Sequence, residues 1–521
     1  MLAAIIVILL TLVGVKLVQW VRIRRYEQEF FKRIGVPYVK PHLVFGSNHI
    51  LRDRSNTQMA VITKWREELG EVFGFFSGGR PSLVVSDLNM VRQILIKDFH
   101  LFSNRPSMVI KAEPVITTLV GLRDQRWKDV RALLTPTFSM TKMKLMAGIM
   151  NEKIDTLLSI FEEHVESQKT IELYSSFQGM TLDVICECAL AIKSNCQRNQ
   201  NDKLLQAVRG FLQNAVNNFI MLAIYFPFFG MLLSVLSNKL AFSGRMTNMI
   251  VKHLKQVIKM RRNNVGEKTV DVLQMMLEAS ETIIEEKVGK EALSAIPSRK
   301  VLSDNEIIAN AWVFLLGGFE TTANALTFTC YLLSKHKNYQ DQLYHEIISV
   351  VKDPTCAVTY EHVSEMKLLD QILSESLRLY PPVVTFIIRE ASEDTQVGSV
   401  TIPKNTGILI PIWDIHRDPK HWPDPEKFDP SRFSASSKAN STRHPMAYLP
   451  FGAGPRNCVG MRFGQLEAKL ALAKIILNYE LDLAPETEDP PPLTVPSVAI
   501  NPARGIFMAL RRRSTPTPTN P

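Results

Sequence analysis

Cysteine is scarce in this sequence and forms neither a disulfide framework nor a metal-site pattern. Six of the 521 residues are cysteine, and no two of them make a CxxC pair. Disulfide-stapled and zinc-stapled scaffolds are therefore excluded as the source of stability. Cys186 and Cys188 lie in the apolar run MTLDVICECAL, where buried free thiols are favoured over a metal site. Free thiols are typical of a reducing compartment.

Linkers, repeats and nucleotide loops are also missing. No long Gly/Ser tract or internal repeat divides the chain, and no Walker loop, flavin motif or nicotinamide motif is present. With 46% hydrophobic and 21% charged residues, one large globular body is the better interpretation. The formal charge of +10 is concentrated in three basic stretches without interleaved aromatic residues. This pattern argues against a nucleic-acid partner and favours anionic lipid or an acidic protein.

One long hydrophobic run opens the chain. From Leu2 to Val21 the one charge is Lys16, and twenty helical residues span about 30 Å of bilayer hydrocarbon. The arginines at 22–25 follow the run instead of preceding it, which is unlike a cleaved signal peptide. We therefore expect residues 1–21 to be a single transmembrane anchor, with the rest of the chain in the cytosol by the positive-inside rule. Residues 22–42 are then a basic, proline-marked linker.

From residue 43 to residue 510 the pattern predicts one mainly α-helical domain with small β-sheets. Helical periodicity dominates to about residue 380 and returns in a last helix expected at 459–478. The interrupted apolar run 219–236 favours a broken helix pair that dips into a lipid surface, with simple core as the alternative. The proline-rich tail 511–521 is expected to be disordered.

A polar cluster interrupts the most apolar helix. Ser303 and Glu306 have the spacing of a capping box, which predicts that this helix runs over 303–335. The residues of interest inside it are Gly317, Gly318, Glu320, Thr321 and Thr322. A carboxylate deep in an apolar helix is costly unless it is paired or functional. A buried polar network and a functional site are equal alternatives at this point.

A second cluster is predicted around an ion pair. Glu375 and Arg378 are spaced i, i+3 on one helix face whose other residues are apolar, which indicates burial. A buried pair needs a further partner to be tolerable, and Arg432 in the segment FDPSRF is a candidate.

The stretch FGAGPRNCVG, residues 451–460, joins glycines, an arginine and a cysteine. A papain-like nucleophile would have another local signature, and a Walker loop would need Gly-Lys-Ser/Thr. The pattern fits a thiolate axial ligand to haem iron, with Gly452 and Gly454 letting the chain lie against the porphyrin. Backbone N–H groups would hold the sulfur of Cys458, and Arg456 would reach a haem propionate.

Taken together, these motifs resemble a cytochrome P-450. The segments WKDVR (127–131), GGFETT (317–322), ESLR (375–378), DPSRF (429–433) and FGAGPRNCVG occur in the family's order and extend the resemblance over nearly the whole chain. Residues 402–430 are similar to the animal microsomal branch that holds many drug- and steroid-oxidising enzymes. Ser431 departs from the family, in which an acidic residue is usual there. The resemblance implies one large haem domain of the P-450 fold behind the anchor.

The resemblance assigns a role to each candidate residue. Cys458 would be the fifth ligand to the iron of haem b. Other contacts with the haem are implied for Arg105, Trp127, Arg131, Arg389, Phe451 and Arg456. Glu320 and Thr321 would organise a water relay that delivers protons to dioxygen. The structural cluster would be Glu375, Arg378 and Arg432, and the substrate pocket would include Val313, Leu316, Gly317 and Val384.

The resemblance also implies an activity, partners and a location. A monooxygenase of this kind inserts one oxygen atom of O2 into an apolar organic substrate. Electrons would come from an NADPH-dependent flavoprotein reductase, with cytochrome b5 as a further donor. The protein would be a single-pass protein of the endoplasmic reticulum membrane, with its catalytic domain on the cytosolic face. Two alternatives are a reductase-independent isomerase or dehydratase of lipid peroxides and a non-catalytic haem- or sterol-binding protein. The Glu320–Thr321 pair favours the monooxygenase.

Overall fold

The computed structural model describes residues 2–52, 57–108, 111–190, 192–263, 271–278, 301–353, 356–439 and 442–513. These ranges form a mainly α-helical body with small β-sheets, so the predicted fold class is confirmed. Cys186 and Cys188 are buried free thiols, also as predicted.

Helices make up most of the described chain. Up to residue 263 they are α1 (Leu2–Gln28), α2 (Phe30–Arg33), α3 (Asn48–Leu51), α4 (Gln58–Leu69), α5 (Leu88–Arg92), α6 (Asp124–Leu134), α7 (Met140–Glu166), α8 (Leu173–Leu190), α9 (Lys203–Asn214), α10 (Asn218–Tyr225), α11 (Gly230–Leu240) and α12 (Phe242–Asn263). From residue 304 onward they are α13 (Asp304–Lys335), α14 (Lys337–Val351), α15 (Tyr360–Glu365), α16 (Lys367–Leu379), α17 (Ile412–Ile415), α18 (Ala435–Ala439) and α19 (Met461–Asn478).

The strands are short, and all except β3 lie before residue 86 or after residue 387. They are β1 (Val72–Ser77), β2 (Arg80–Val85), β3 (Ile171–Glu172), β4 (Ile388–Glu390), β5 (Thr395–Val397), β6 (Val400–Ile402), β7 (Gly407–Leu409), β8 (Tyr479–Leu483), β9 (Leu493–Thr494), β10 (Asn501–Pro502) and β11 (Phe507–Arg512). The largest sheet has the order β1-β2-β7-β4, and its β2–β7 pair is parallel, with Leu83 opposite Ile408. This sheet joins the N-terminal part of the chain to the segment that follows α16.

The long helix α13 is the centre of the hydrophobic core. Most of its residues are buried, and it packs against α8, α19, α16 and α12. The predicted capping box is confirmed: Ser303 Oγ accepts the Glu306 N–H, and Glu306 Oε2 accepts the Ser303 N–H at 2.8 Å. Because the cap satisfies otherwise unpaired backbone groups, it fixes where this apolar helix begins.

The first helix continues beyond the predicted end of the anchor. Residues 22–28 are part of α1, so the segment assigned to the linker begins as helix. Near this end the buried side chain of Arg24 donates to the Tyr225 carbonyl at 3.0 Å, and Trp20 Nε1 donates to the same oxygen at 3.2 Å. The end of α1 is therefore attached to the loop that follows α10.

The apolar run 219–236 is broken at the predicted place. α10 ends at Tyr225, a short 3-10 turn covers Pro227–Phe229, and α11 starts at Gly230. Proline has no N–H to continue the helix, which explains the break. Within the part of the chain that the structure describes, no single helix passes a length-and-hydropathy test for a membrane span. The bent pair Lys203–Tyr225 and Pro227–Leu240 passes it jointly, with a bend of 115°.

Strand β11 extends past the predicted start of the tail at residue 511. Arg511 and Arg512 lie opposite Glu480 and Tyr479 of β8, and the Arg512 guanidinium pairs with Glu162. Pairing with β8 and contact with acidic side chains order Arg511 and Arg512, which the composition of the tail predicts to be disordered. Residues 514–521 of the predicted tail lie outside the described residues.

Candidate functional site

The cysteine loop is closed by its own backbone. The Cys458 N–H donates to the Phe451 carbonyl at 2.9 Å, immediately before α19. Gly452 and Gly454 have φ of +70° and +71°, where a side chain would be strained. At Gly454 a Cβ would also stand 1.9 Å from the Leu95 carbonyl oxygen. The glycines are thus needed for the turn and for close approach of another protein segment, a reason that the sequence analysis did not include.

The Cys458 side chain is exposed to solvent, yet the protein atoms around it still change the pKa of its thiol. Desolvation is the largest influence and leaves the pKa of the Cys458 thiol raised, although the Gly460 N–H and the Arg131 guanidinium oppose that rise. An adjacent cation and a backbone N–H are the features that stabilise a thiolate. A positive ion bound at the sulfur would add to this effect, since metal coordination deprotonates a thiol.

Two arginines fix the loop against α6. Arg131 donates from Nη1 to the Asn457 carbonyl at 3.0 Å and from Nη2 to Asn457 Oδ1 at 2.9 Å. The Arg456 guanidinium lies over the Trp127 ring at 4.2 Å. Trp127 and Arg131, four residues apart on α6, therefore both face the cysteine loop.

Two more arginines, predicted from the family resemblance alone, join the same group. Arg389 is buried and Arg105 is half-buried. Desolvation, then repulsion from Arg131, lowers the pKa of Arg105 to about 10, and desolvation, then repulsion from Arg105, lowers the pKa of Arg389 to about 9. The pKa of Arg456 falls to about 8 through desolvation, then repulsion from Arg105 and Arg389. Desolvation also lowers the pKa of Arg131. Repulsion of this strength requires that the guanidinium groups lie near one another.

Among the described residues, this four-arginine cluster (Arg105, Arg131, Arg389 and Arg456) has the Asp124 carboxylate near Arg456 but forms no ion pair with it. No ion pair joins any of the four to a carboxylate there, and buried nitrogens of Arg105, Arg389 and Arg456 lack any hydrogen-bond partner. Burying unpaired charge is expensive. A ligand with two carboxylates beside a thiolate-bound iron would neutralise the cluster, so these residues fit the propionates of haem.

The middle of α13 opens a small gap in its buried surface. Gly317 is exposed although almost all neighbouring residues are buried, and a Cβ there would meet no atom within 4 Å. One turn later the Thr321 hydroxyl donates to the Gly317 carbonyl at 2.6 Å. A hydroxyl bonded one turn back competes with the helix ladder and loosens it locally.

Glu320 points to a different set of partners from its neighbour Thr321. It is buried, and its Oε1 accepts from Asn501 Nδ2 at 2.9 Å and from the Tyr174 hydroxyl at 3.2 Å. Asn501 Oδ1 in turn accepts from Asn324 at 3.1 Å. Desolvation raises the pKa of Glu320, and the two donors oppose that rise. The structure thus brings Glu320 into a polar network between α8, α13 and β10.

The Glu375 cluster (Glu375, Arg378 and Arg432) assembles as the sequence indicates. Arg378 donates from Nε and Nη2 to the two Glu375 oxygens at 2.7 and 2.8 Å, and Arg432 Nε lies 3.3 Å from Glu375 Oε1. Glu375 and Arg378 are fully buried, and the Arg432 side chain is 9% exposed. Ser431 donates to Asp429 and stays at the edge, so the departure from the family leaves the cluster intact.

A sequence model of the cytochrome P450 family matches residues 36–509. The chain belongs to the cytochrome P450 family. The family and the similar proteins support a haem-thiolate monooxygenase, and the cysteine loop with its arginines fits the cofactor that the family uses.

Similar proteins cover nearly the full length. Cytochrome P450 3A29 of Sus scrofa is 32% identical over 471 residues, 90% of each chain. Cytochrome P450 3A14 of Cavia porcellus is 32% identical over 508 residues, 96% of each chain. Cytochrome P450 3A27 of Oncorhynchus mykiss is 31% identical over 492 residues, 94% of this chain and 92% of the relative.

A cavity of about 1230 Å³ includes Trp312 of α13 in its lining, but none of the residues of the cysteine loop or the four-arginine cluster lines it. Segments of the β1–β2 sheet, α10, α11, α12 and α13 contribute to its wall. The sequence-predicted pocket residues fall outside its lining; they are Val313, Leu316, Gly317 and Val384. Their chain neighbours Trp312 and Thr385 do line it. Adjacent residues of a helix point about 100° apart. A sequence pattern can therefore place α13 correctly without showing which of its side chains face the cavity.

Sequence analysis missed three polar residues that contact the candidate groups. Tyr174 and Asn501 bond Glu320 from 146 and 181 positions away. His416 Nε2 accepts the Leu449 N–H at 2.8 Å, and its Nδ1 lies 3.2 Å from the Arg378 carbonyl. This histidine connects the Glu375 cluster to the segment that precedes the cysteine loop. Local spacing contains no signal for contacts of this range.

Proposed function

We propose that this cytochrome P450 inserts one oxygen atom of O2 into an apolar organic substrate with electrons from an NADPH-dependent flavoprotein reductase. The four-arginine cluster beside Cys458 is the observation that carries the proposal. It supplies the cation that steadies a thiolate and the donors for two propionates, from segments distant in the chain that the fold brings together. When bound, haem with a thiolate ligand supplies the oxidising chemistry.

The residues of the chain then hold the cofactor and handle protons. Arg105, Arg389 and Arg456 bind the propionates, with Trp127 fixing the Arg456 guanidinium from one side. Arg131 orients the loop through Asn457. Backbone N–H groups around Cys458 hold its Sγ as the acceptor it must be to bind iron.

Proton handling falls to Glu320 and Thr321. The hydrogen bonds that Tyr174 and Asn501 donate to Glu320 both use Oε1, so among the described residues Oε2 is the oxygen left to take up and release a proton. The raised pKa of Glu320 brings its protonation closer to neutral pH, as a proton donor requires. Thr321 Oγ1, on the same side as the exposed Gly317, is the hydroxyl nearest the gap in α13.

Location and partners complete the proposal. We place the first helix in the endoplasmic reticulum membrane and the body on the cytosolic face, with cytochrome b5 as a second electron donor. The exposed apolar residues of α10 and α11 support contact with lipid.

A carbon monoxide difference spectrum tests the cofactor first. After reduction with dithionite, the Soret band should lie far to the red and should be absent in Cys458→Ala, because a thiolate then no longer binds the iron. A band at the position of a histidine-ligated haem would refute the assignment of Cys458.

Turnover then separates the monooxygenase from its alternative. Product should form from an apolar substrate when NADPH and reductase are both present. If a lipid hydroperoxide is instead converted at full rate without reductase, the protein is an isomerase or dehydratase.

A further inference from the structure

The large cavity has an unequal charge distribution. Eight charged side chains contribute to its wall, three acidic and five basic: Glu27, Glu113, Glu390, Arg52, Arg80, Lys111, Arg123 and Lys404. Arg123 and Glu390 form an ion pair of 2.5 Å, so neither adds net charge. What remains is two carboxylates against four cations.

Both remaining carboxylates already have partners of their own. Glu27 Oε2 lies 3.5 Å from Arg24 Nη1, a buried arginine of α1 outside the lining. Glu113 accepts a hydrogen bond from the Thr117 hydroxyl. Neither acid is paired with one of the four cations.

The cations Arg52, Arg80, Lys111 and Lys404 are all exposed, which places them where the cavity opens to solvent. Within the described ranges, no carboxylate lies within 4.0 Å of any of them. A cleft lined by charge of one sign concentrates ligands of the opposite sign. The opening of the cavity therefore favours anions.

Arg52 and Arg80 are best suited to hold an anion because their other contacts are neutral. Arg52 Nη1 touches Met221 Sδ at 2.7 Å, and Arg80 Nη1 donates to the Ser107 carbonyl. Most of each guanidinium fork is left for a planar or tetrahedral oxyanion, which arginine binds through two donors.

The deeper wall is apolar and aromatic. Trp312 of α13 is buried and packs against Phe211 with ring centroids 5.1 Å apart; Ile388 and Leu409 add aliphatic surface. An apolar interior with a cationic opening fits a molecule with the same two parts.

We infer that the cavity takes anionic amphiphiles, apolar molecules ending in a carboxylate or sulfate, with the anionic end held by Arg52 and Arg80. This inference rests on the proposed function and names its substrate class. The apolar body of the ligand would extend toward Trp312. The end of the ligand remote from its anionic group would enter the haem site.

Equilibrium dialysis of the holoenzyme in neutral detergent tests the inference with three probes of equal chain length. Dodecanoate should bind about five-fold more tightly than dodecanol at low salt, and dodecyltrimethylammonium should bind most weakly. The preference for dodecanoate should decline at 0.5 M salt, because exposed charges are screened. Arg52→Gln combined with Arg80→Gln should bring the dodecanoate-to-dodecanol ratio close to one.

The control is Lys64→Gln combined with Arg504→Gln, which removes the same charge from exposed positions outside the cavity lining. It should keep the preference. Equal binding of dodecanoate and dodecanol, or a preference that survives the Arg52/Arg80 substitutions, overturns the inference. So does displacement of dodecanoate by phosphatidylserine vesicles but not by phosphatidylcholine vesicles, which assigns the cations to lipid headgroups. Reductase-dependent turnover of a neutral substrate is unaffected by these outcomes, so failure of the inference and failure of the proposed function are distinguishable.

Discussion

Two groups of buried arginines in this cytochrome P450 differ in how their charge is balanced. In the Glu375 cluster, every arginine contacts a carboxylate, and Arg378 also donates to the carbonyls of His416, Pro425 and Lys427. In the four-arginine cluster, described residues supply carbonyls and one amide oxygen but no carboxylate.

We expect this difference to separate a structural cluster from a cofactor-binding cluster. The Glu375 cluster is complete within the chain, so its contribution is to stability. The four-arginine cluster leaves buried cations with lowered pKa values, a state that a dianionic ligand relieves. Arginine content alone does not distinguish the two; the presence of the acid does.

The largest effect is expected from removing one arginine of the Glu375 cluster. Arg378→Ala leaves Glu375 buried without its bidentate partner, which should cost about 3–5 kcal/mol of stability. Thermal unfolding followed by far-UV circular dichroism should show a large fall in midpoint or no folded protein. A midpoint unchanged from the parent would mean that the cluster is dispensable.

The next effect should fall on haem retention without loss of the fold. Arg456→Met removes a charge-assisted contact worth about 1.5–3 kcal/mol, so transfer of haem to apomyoglobin should become about 10- to 100-fold faster. Helical content should stay at the parental level, and Arg504→Met, at an exposed position, should leave the transfer rate unchanged. Loss of helical content in Arg456→Met would mean that both clusters contribute to stability, which contradicts the distinction between them.

The pH dependence of stability tests whether His416, which contacts the Glu375 cluster, is buried in its neutral form. Desolvation lowers the pKa of His416 to about 3 from an ordinary value near 6.5, so the unfolded chain binds this proton first. Its stabilising contribution is present above pH 6.5 and is lost as the pH falls toward 3. Between pH 7 and pH 5 the parent should lose about 2 kcal/mol through this group. His416→Gln should lose correspondingly less in urea titrations at the two pH values, and parallel losses would contradict the assignment.

The smallest effect is expected in the Glu320 network. Tyr174→Phe removes one donor that lowers the pKa of Glu320, so this pKa should rise further. The pH at which the ratio of product to NADPH consumed changes should move upward with it. Tyr339→Phe, whose hydroxyl lies 3.5 Å from Asp429, is the matched control and should not shift it.

Sequence patterns predicted the elements whose chemistry is local. The capping box of α13, the break at Pro227 and the i, i+3 pair of Glu375 and Arg378 depend on neighbours within a few residues, and the structure has all three. Arg432 was also predicted, because a buried ion pair needs a third partner.

Contacts between distant segments were not predictable in the same way. Periodicity placed Glu320 inside α13, but its orientation depends on Tyr174 and Asn501, which only the folded chain brings near. The predicted pocket residues stay a prediction: Val313 does not line the cavity described above, whereas Trp312, one step along α13, does, because adjacent helix residues face different surfaces.

The attachment of α1 to the body has a practical consequence for protein production. Arg24 fits because residue 79 is glycine; a Cβ there would stand 1.1 Å from its guanidinium. Three residues later, Glu27 forms part of the cavity wall. A shortened version that starts after residue 28 would therefore lose Glu27 from the cavity wall together with the hydrophobic helix. Binding constants measured on such a truncated protein would describe a cavity without that part of its lining.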